Sequence, residues 1–345
     1  MEAQVATIAK NERSITYTGS NSILVSHQDM DGLMVIVLAK YFHLLFDKVV
    51  SYDYGFEEEQ SIVEDLFNYD TIVVADLSLT PALHDKLLSE GKTVLVYDHH
   101  ETSQWIAEKP GCVWDGQRSG TKIFFDEYVQ PRVGRYKPVV AELVNFVDVY
   151  DRWVLESPHR ATSEDLQRVF VRMGSWDIED ALIRHDRFIT AMIKKLKEET
   201  HFKWNAVDKM HIQKAKDSED KAYQEALAML QIRTDNKGRK FAVASLWGKI
   251  SMVCHRMLNI EKMEVEYIVI IQRFQNKWGK ISFRSREGEF NLIELAGVSG
   301  HKASAGAELT PEEAKAFLAN NWCFRYKDEV KDGDPVIEVC KDNIL

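Results

Sequence analysis

Between Asn21 and about Gln130, short runs rich in β-branched residues alternate with stretches of helical pattern, and this alternation restricts the fold more than any other feature of the chain. ILVS (23–26) predicts a buried strand and residues 32–46 an apolar helix. KVVSYDY (48–54) predicts the next strand, followed by an acidic helix over 57–68. TIVVAD (71–76) is a third strand. Residues 81–90 form a helix whose first turn tolerates Pro81, because the missing N–H has no intrahelical partner there. TVLVYD (93–98) is a further strand. Strands separated by helices of this length imply a parallel sheet with helices on both faces, the α/β class.

Three of these strands run straight into polar residues: Ser26 leads into HQDMD, Ala75 into Asp76, and Tyr97 into Asp98. In open α/β sheets, ligands bind beyond the carboxyl ends of the strands. The sheet therefore offers acidic and imidazole groups from distant parts of the chain one meeting point.

Beyond this region, residues 138 to about 223 are mostly helical, and 178–223 is charge-dense, as suits a solvated connecting helix or helix pair. A second domain begins near Arg233, with TDNKGRK (234–240) as a turn. Its strands are FAVASLW (241–247), VEYIVIIQRF (265–274) and GKISFRS (279–285). TPEEAKAFLANN (310–321) is a late helix with a threonine cap and proline at its first position. The expected organisation is a catalytic domain over 1–185, a helical connector over 186–232 and a smaller α/β substrate-binding domain over 233–345. The length of 345 residues fits two domains better than one core.

Composition narrows the function classes. Hydrophobic residues at 45% and charged residues at 28% are the mix of a globular protein. No run of about 18 apolar residues occurs that would span a membrane. MEAQVATIAKNERS lacks the apolar centre of a secretory signal, so the expected compartment is the cytoplasm. Cys112, Cys254, Cys323 and Cys340 form no CxxC pair, which argues against a zinc knuckle or a disulfide framework. The net charge of −10 is unlike that of a protein gripping long duplex nucleic acid. A nucleic-acid substrate would be short, or held by a local basic pocket. An acidic total also fits a carboxylate-rich metal site, whose cations would offset part of the charge.

In SHQDMDG (26–32), His27, Asp29 and Asp31 at alternate positions after a strand can point toward one locus, and Gly32 allows close backbone approach at the helix start. Mixed nitrogen and oxygen donors suit Mn²⁺, Mg²⁺, Co²⁺ or Zn²⁺ rather than Ca²⁺. The competing reading is helix capping, which needs one of the three residues. Asp76 in VVADLS ends a buried strand and by itself is equally a cap. In VLVYDHHETS, Asp98, His99 and His100 follow a strand. Adjacent histidines cannot face one metal in the same way, so one can ligate while the other faces a substrate. Satisfied structural histidines are the alternative.

SHQDMDG, VADLS, YDHHE and VDVYDRW, in this order and spacing, resemble the successive motifs of the DHH phosphoesterase superfamily. RSGTKIFFDEY after the DHH, and YDRW, most resemble the nano-RNase branch of oligoribonucleases, close to the RecJ-like exonucleases. KISFRS (280–285) and VSGHKASAG (298–306) are similar to the glycine-rich DHH-associated C-terminal domain, although VSGH stands where the family has two or three glycines. The resemblance covers roughly 22–307.

It implies two divalent cations, Mn²⁺ first, with Mg²⁺ or Co²⁺ as alternatives. One takes His27, Asp29 and Asp76. The other takes Asp31, Asp76, His99 and a fourth-motif aspartate, Asp151 in preference to Asp148. A bridging Asp76 would keep the ions about 3.5–4 Å apart, with a hydroxide between them as nucleophile. Asp98 would orient a histidine, and His100 would act on the substrate as hydrogen-bond donor or general acid. Arg284, Gly300, His301 and Lys302, and also Arg118 and Ser119, are candidate phosphate contacts; capping of helix 120–130 explains Ser119 equally well.

The resemblance implies an enzyme that hydrolyses short single-stranded RNA or DNA to mononucleotides. Rival substrates are pAp, a cyclic dinucleotide or a linear dinucleotide; a non-catalytic nucleotide-binding protein is a rival of another class. A homodimer is common among such relatives.

Overall fold

The computed structural model describes residues 21–340 except 174–177, 247, 275–276, 287, 301 and 332. The chain divides into two compact units between Ile212 and Gln213.

The first unit is built on a five-stranded parallel sheet. Its strands are β1 (Ser22–His27), β2 (Lys48–Tyr52), β3 (Thr71–Ala75), β4 (Thr93–Asp98) and β5 (Val113–Trp114), in the order β2-β1-β3-β4-β5. Between them lie α1 (Met30–Tyr41), α2 (Gln60–Leu66) and α3 (Pro81–Ser89). After β5 come α4 (Gly120–Phe124), a π turn (Phe125–Val129), α5 (Gln130–Val133), α6 (Pro138–Asp151), α7 (Arg160–Arg172) and α8 (Ile178–Glu198).

The strands alternate as a sheet buried on both faces requires. Leu24, Val73, Ala75, Leu95 and Tyr97 pack on one face with α1, α4, α6 and α8. Ile23, Val25, Ile72, Val74, Val94 and Val96 pack on the other with Leu66 of α2 and with Leu83 and Leu87 of α3. Because β2 and β3 flank β1 on opposite sides, the connections reverse between β1 and β3. A crevice therefore opens at the carboxyl ends of these two strands, the usual ligand position in such sheets. In register, Ser26 pairs with Ala75 and Ala75 with Tyr97. The polar residues that follow all three strands thus start at the same level.

In the second unit, α9 (Ala206–Ala228), inside which the division falls, leads to a mixed sheet ordered β10-β11-β9-β8-β7-β6. Its strands are β6 (Gln231–Thr234), β7 (Lys240–Leu246), β8 (Tyr267–Phe274), β9 (Lys277–Ser285), β10 (Ser299–Gly300) and β11 (Ser304–Glu308). One face carries Ala222, Tyr223 and Ala226 of α9 and Val253 and Cys254 of α10 (Ile250–His255). The other carries Phe317 of α11 (Pro311–Ala319) and a short antiparallel pair, β12 (Trp322–Phe324) and β13 (Ile337–Val339). Thr310 and Glu313 form a full capping box at the start of α11. Among the described residues no helix is long and apolar enough to cross a membrane.

Candidate metal centre

The site forms where β1, β3 and β4 end. Asp29 caps α1, its Oδ1 accepting the Gly32 N–H at 2.9 Å, while Oδ2 lies 3.3 Å from His27 Nδ1. Capping and convergence are therefore compatible roles for one carboxylate. Gly32 is required here: a Cβ would stand 2.3 Å from the His27 carbonyl oxygen.

Asp76 turns the chain sharply out of β3, with φ +56°. A non-glycine residue in this region is uncommon, although aspartate tolerates it better than most. The turn carries its buried carboxylate to the centre: Oδ2 lies 3.9 Å from His27 Nδ1 and Oδ1 lies 3.3 Å from His99 Nε2. Gly120 permits this, since a Cβ there would come within 2.3 Å of the Asp76 Cβ.

Asp31 is held by the start of α4. Its carboxylate accepts the Gly120 and Thr121 amides at 2.7 and 3.0 Å, and the Thr121 hydroxyl donates to its carbonyl. Such anchoring of a carboxylate at a helix N-terminus follows from the unpaired amides there. His99 Nε2 lies 3.9 Å from Asp31 Oδ2 and 3.3 Å from Asp151 Oδ2. Asp148 points elsewhere: it accepts the Ser119 amide at 2.8 Å and pairs with Arg152 at 3.3 Å.

Asp98 is fully buried and accepts from the His99 amide and from His100 Nδ1, at 2.8 and 2.7 Å. The Trp114 indole N–H fixes the His100 carbonyl at 2.8 Å. His100 Nε2 meets the Tyr54 hydroxyl at 2.7 Å.

Among the described residues three groups could hold metal ions: His27, Asp29 and Asp76; Asp31, His99 and Asp151; and Asp76, Asp98, His99 and His100. Within each, one donor atom per residue lies within 4.8 Å of the others. The fit to cations rests on atoms the protein leaves unsatisfied. Among the described residues, His27 Nδ1, Asp76 Oδ2, Asp98 Oδ2, His99 Nε2 and Asp151 Oδ2 are buried without a hydrogen-bond partner. Buried polar atoms in native proteins are nearly always paired, so five within these groups require an explanation.

The electrostatics agree with the fit. Burial, then repulsion by Asp31 and Asp29, pushes Asp76 far above the usual carboxylate range, and the same causes raise Asp151. Burial outweighs the pull of Asp31 and lowers His99, favouring the neutral imidazole that binds metals. For Asp29, burial is overcome by the neighbouring His27 imidazole and the Gly32 amide, which hold it at about 2. A divalent cation would cancel the surplus negative charge.

Several of the other expected contacts are already engaged by neighbouring groups. Arg118 pairs with Asp115, Asp126 and Glu127 at 2.7 to 3.2 Å. The Ser119 hydroxyl accepts the Lys122 amide at 3.3 Å, the capping arrangement. In the second unit, Arg284 on β9 donates to the Phe283 carbonyl at 2.7 Å and the Ser251 hydroxyl at 3.2 Å. Gly300 has φ +128°, and Lys302 is exposed; His301 lies outside the described residues. Sequence reasoning missed Asp53 and Tyr54, because residues 48–54 read as one strand, and also Gly120 and Thr121 as holders of Asp76 and Asp31. The signal for the first pair was the turn glycine, Gly55, directly behind them.

No protein-family model and no curated protein matches the sequence. Among solved structures, one described as the DHH domain of a member of a family of ribosomal proteins superposes with a TM-score of 0.57 at 16% identity, covering 87% of this chain and 85% of that one. An uncharacterized protein from Helicobacter pylori G27 matches over 84% of this chain and 93% of that one, at 16% identity and a TM-score of 0.35, too low to bear on the fold. At such identity a likeness is one of architecture, and this chain has a DHH-type fold.

Proposed function

We propose that this protein is a two-cation phosphodiesterase that hydrolyses short single-stranded oligonucleotides to mononucleotides. The observation that carries the reading is Asp76, a buried carboxylate with one oxygen toward His27 and the other toward His99. His27, Asp29 and Asp76 would hold one cation; Asp31, His99 and Asp151 would hold the other, with Asp76 shared. This donor set suits Mn²⁺, with Mg²⁺ or Co²⁺ as alternatives. When bound, such a pair polarises a phosphoryl oxygen and lowers the pKa of water. The DHH-type fold supports phosphoester chemistry by fold-level analogy.

The protein's own groups arrange the substrate. Asp98 holds His100 through Nδ1, and the other ring nitrogen is the one that can hydrogen-bond a phosphoryl oxygen as charge develops on it. Asp31 is fixed by backbone amides before any cation arrives, which reduces the reorganisation that binding requires. In the second unit, Gly300, His301 and Lys302 with Arg284 are the proposed phosphate contacts. The Arg284–Ser251 hydrogen bond is one that a phosphate oxygen can replace. Arg118, already paired with three carboxylates, is not part of the proposal. The net charge of −10 favours short chains, since few phosphates can be neutralised.

A labelled substrate panel with Mn²⁺ and with chelator tests this. A dinucleotide and a five-nucleotide strand should be cleaved faster than a twenty-nucleotide strand, and chelation should stop turnover. Turnover of pAp or a cyclic dinucleotide alone would move the assignment to a small-molecule phosphoesterase. No Mn²⁺-dependent turnover of any of these would end it.

A further inference from the structure

Tyr54 stands in the place that the proposed substrate has to take. The sheet brings it there. β2 pairs in parallel with β1, with Tyr52 opposite His27, so the first residues beyond β2 emerge beside the SHQDMDG loop. The Tyr54 ring centroid lies 4.4 Å from that of His27, and the ring meets that of His100 edge-on at 5.6 Å. Its hydroxyl is hydrogen-bonded to His100 Nε2 at 2.7 Å. Asp98 already takes Nδ1, so this bond closes the one ring nitrogen left for a phosphoryl oxygen. A substrate must displace the phenol before it can reach His100.

The side chain can leave without the segment unfolding, because the segment is tied on either side of it. Asp53 Oδ1 accepts the Tyr54 amide at 2.8 Å and lies 3.4 Å from His27 Nε2. Further on, a Glu57 carboxylate oxygen accepts the Thr80 amide at 2.6 Å. Between them Gly55 turns at φ +80°, in open space. Tyr54 is 60% exposed, so swinging its ring outward gives up little buried area. A phosphoryl oxygen is anionic, and hydrogen bonds involving an ionised partner are about twice as strong as neutral ones. It can outcompete a phenol for Nε2, whereas an uncharged ligand has no such advantage.

We propose that Tyr54 is a self-inhibitory stopper: its hydroxyl covers His100 Nε2 until an anionic phosphoryl oxygen displaces it. This rests on the phosphodiesterase reading, in which Nε2 contacts the phosphoryl group. The stopper lowers the share of molecules ready to bind, and apparent affinity falls with that share. Once the substrate is seated the hydroxyl has left, so the chemical step proceeds as it would without it.

Kinetics with Mn²⁺ and a dinucleotide test this. Tyr54→Phe should lower KM by about fivefold, the worth of one net hydrogen bond, with kcat within about twofold. The product mononucleotide should inhibit Tyr54→Phe more strongly by a similar factor, since it too carries an anionic phosphoryl oxygen. In a His100→Ala background, Tyr54→Phe should no longer move KM, because the stopper acts through that ring. An unmoved or raised KM, a kcat that falls with KM, or the same KM shift without His100 would each overturn the stopper. A further test needs no turnover. In metal-free protein the ¹⁵N signal of His100 Nε2, assigned with His100→Ala, should shift in Tyr54→Phe; no shift would overturn the contact and the stopper with it. Cleavage of the dinucleotide with a KM untouched by Tyr54→Phe removes the stopper alone. Wild-type protein that leaves the dinucleotide intact removes the phosphodiesterase reading, and the stopper's role with it.

Discussion

Two buried aspartates, one in each unit, show opposite ways of placing a carboxylate inside a protein. Asp235, between β6 and β7, is 0% exposed, and Asp76, beyond β3, is 1% exposed. Asp235 is complete. Its Oδ1 accepts the Lys237 and Arg239 amides at 3.0 and 2.9 Å, and its Oδ2 accepts the hydroxyls of Tyr267 and Tyr326 at 3.3 and 2.5 Å. Asp76 has histidines at 3.3 and 3.9 Å but, among the described residues, no hydrogen bond to Oδ2, and three other carboxylates raise its pKa further than burial does alone. A fully satisfied buried network specifies structure, whereas an unsatisfied one implies a partner the chain does not provide.

The widest separation between the two should come from matched substitutions. Asp76→Asn should reduce Mn²⁺-dependent hydrolysis by more than the about 10- to 100-fold that losing an outer-shell partner costs. In chelator its melting temperature should be unchanged or higher, because a repelled buried charge has been removed. Asp235→Ala should do the reverse. It strands two phenols and two amides, and at about 1–3 kcal/mol per unsatisfied buried group the loss of stability should reach at least about 3 kcal/mol in denaturant melts. If Asp76→Asn proved the more destabilising of the two in chelator, the distinction would be broken.

A smaller effect should come from Gly120→Ala. The new methyl would meet Asp76 at 2.3 Å from its Cβ and 2.6 Å from its Cα, so either Asp76 or the start of α4 must move. The start of α4 also holds Asp31, so both proposed cation sites should loosen together. The expected cost is about 1–3 kcal/mol of stability, the usual range for overpacking. A parallel loss of Mn²⁺ affinity should appear in a calorimetric titration. Unchanged affinity would mean that this contact does not shape the pocket.

Much of the first unit was legible because buried parallel strands are continuous apolar runs: β1, β3 and β4 fall within one residue of where their sequences place them. Ends were harder. The helix expected over 32–46 runs from Met30 to Tyr41, since Asp29 caps it ahead of Gly32 and His43 turns away at φ +52°. The helix expected over 120–130 is broken by the π turn at Phe125–Val129. The strand expected over 48–54 stops at Tyr52; nothing within YDY marks the exit, which is signalled by Gly55 just behind it. The short strands β6, β12 and β13 escaped notice because tertiary pairing, more than local pattern, sets such elements.

In the site, spacing identified the residue types at the strand ends but not their directions. Asp148 and Asp151 stand three apart on α6, hence on neighbouring parts of one face. What separates them is the Ser119 amide, delivered to Asp148 from a different segment. Gly120 was illegible for the same reason: its need for smallness comes from Asp76, a residue remote in sequence.

His185 on α8 sharpens the comparison with the least effect. It is 5% exposed, and among the described residues neither ring nitrogen has a hydrogen-bond partner and it belongs to no metal-binding group. Its ring lies parallel to Phe170 at 6.4 Å, and burial, reinforced by Arg184, lowers its pKa from 6.5 to about 4. Here the unsatisfied group is kept neutral instead of being gathered with opposite charge, so absence of a hydrogen bond marks a ligand site only where several such atoms converge. The sign follows from proton uptake. Between pH 6.5 and 4 the unfolded chain binds a proton that the folded one refuses, so the neutral imidazole costs nothing above 6.5 and stability falls as pH drops toward 4. His185→Leu should flatten that part of the stability-against-pH curve relative to the unsubstituted protein and leave Mn²⁺ affinity unchanged. Two curves that stay parallel through this window would show that the imidazole is already paired in solution, and His185 would then join Asp235 on the satisfied side of the comparison.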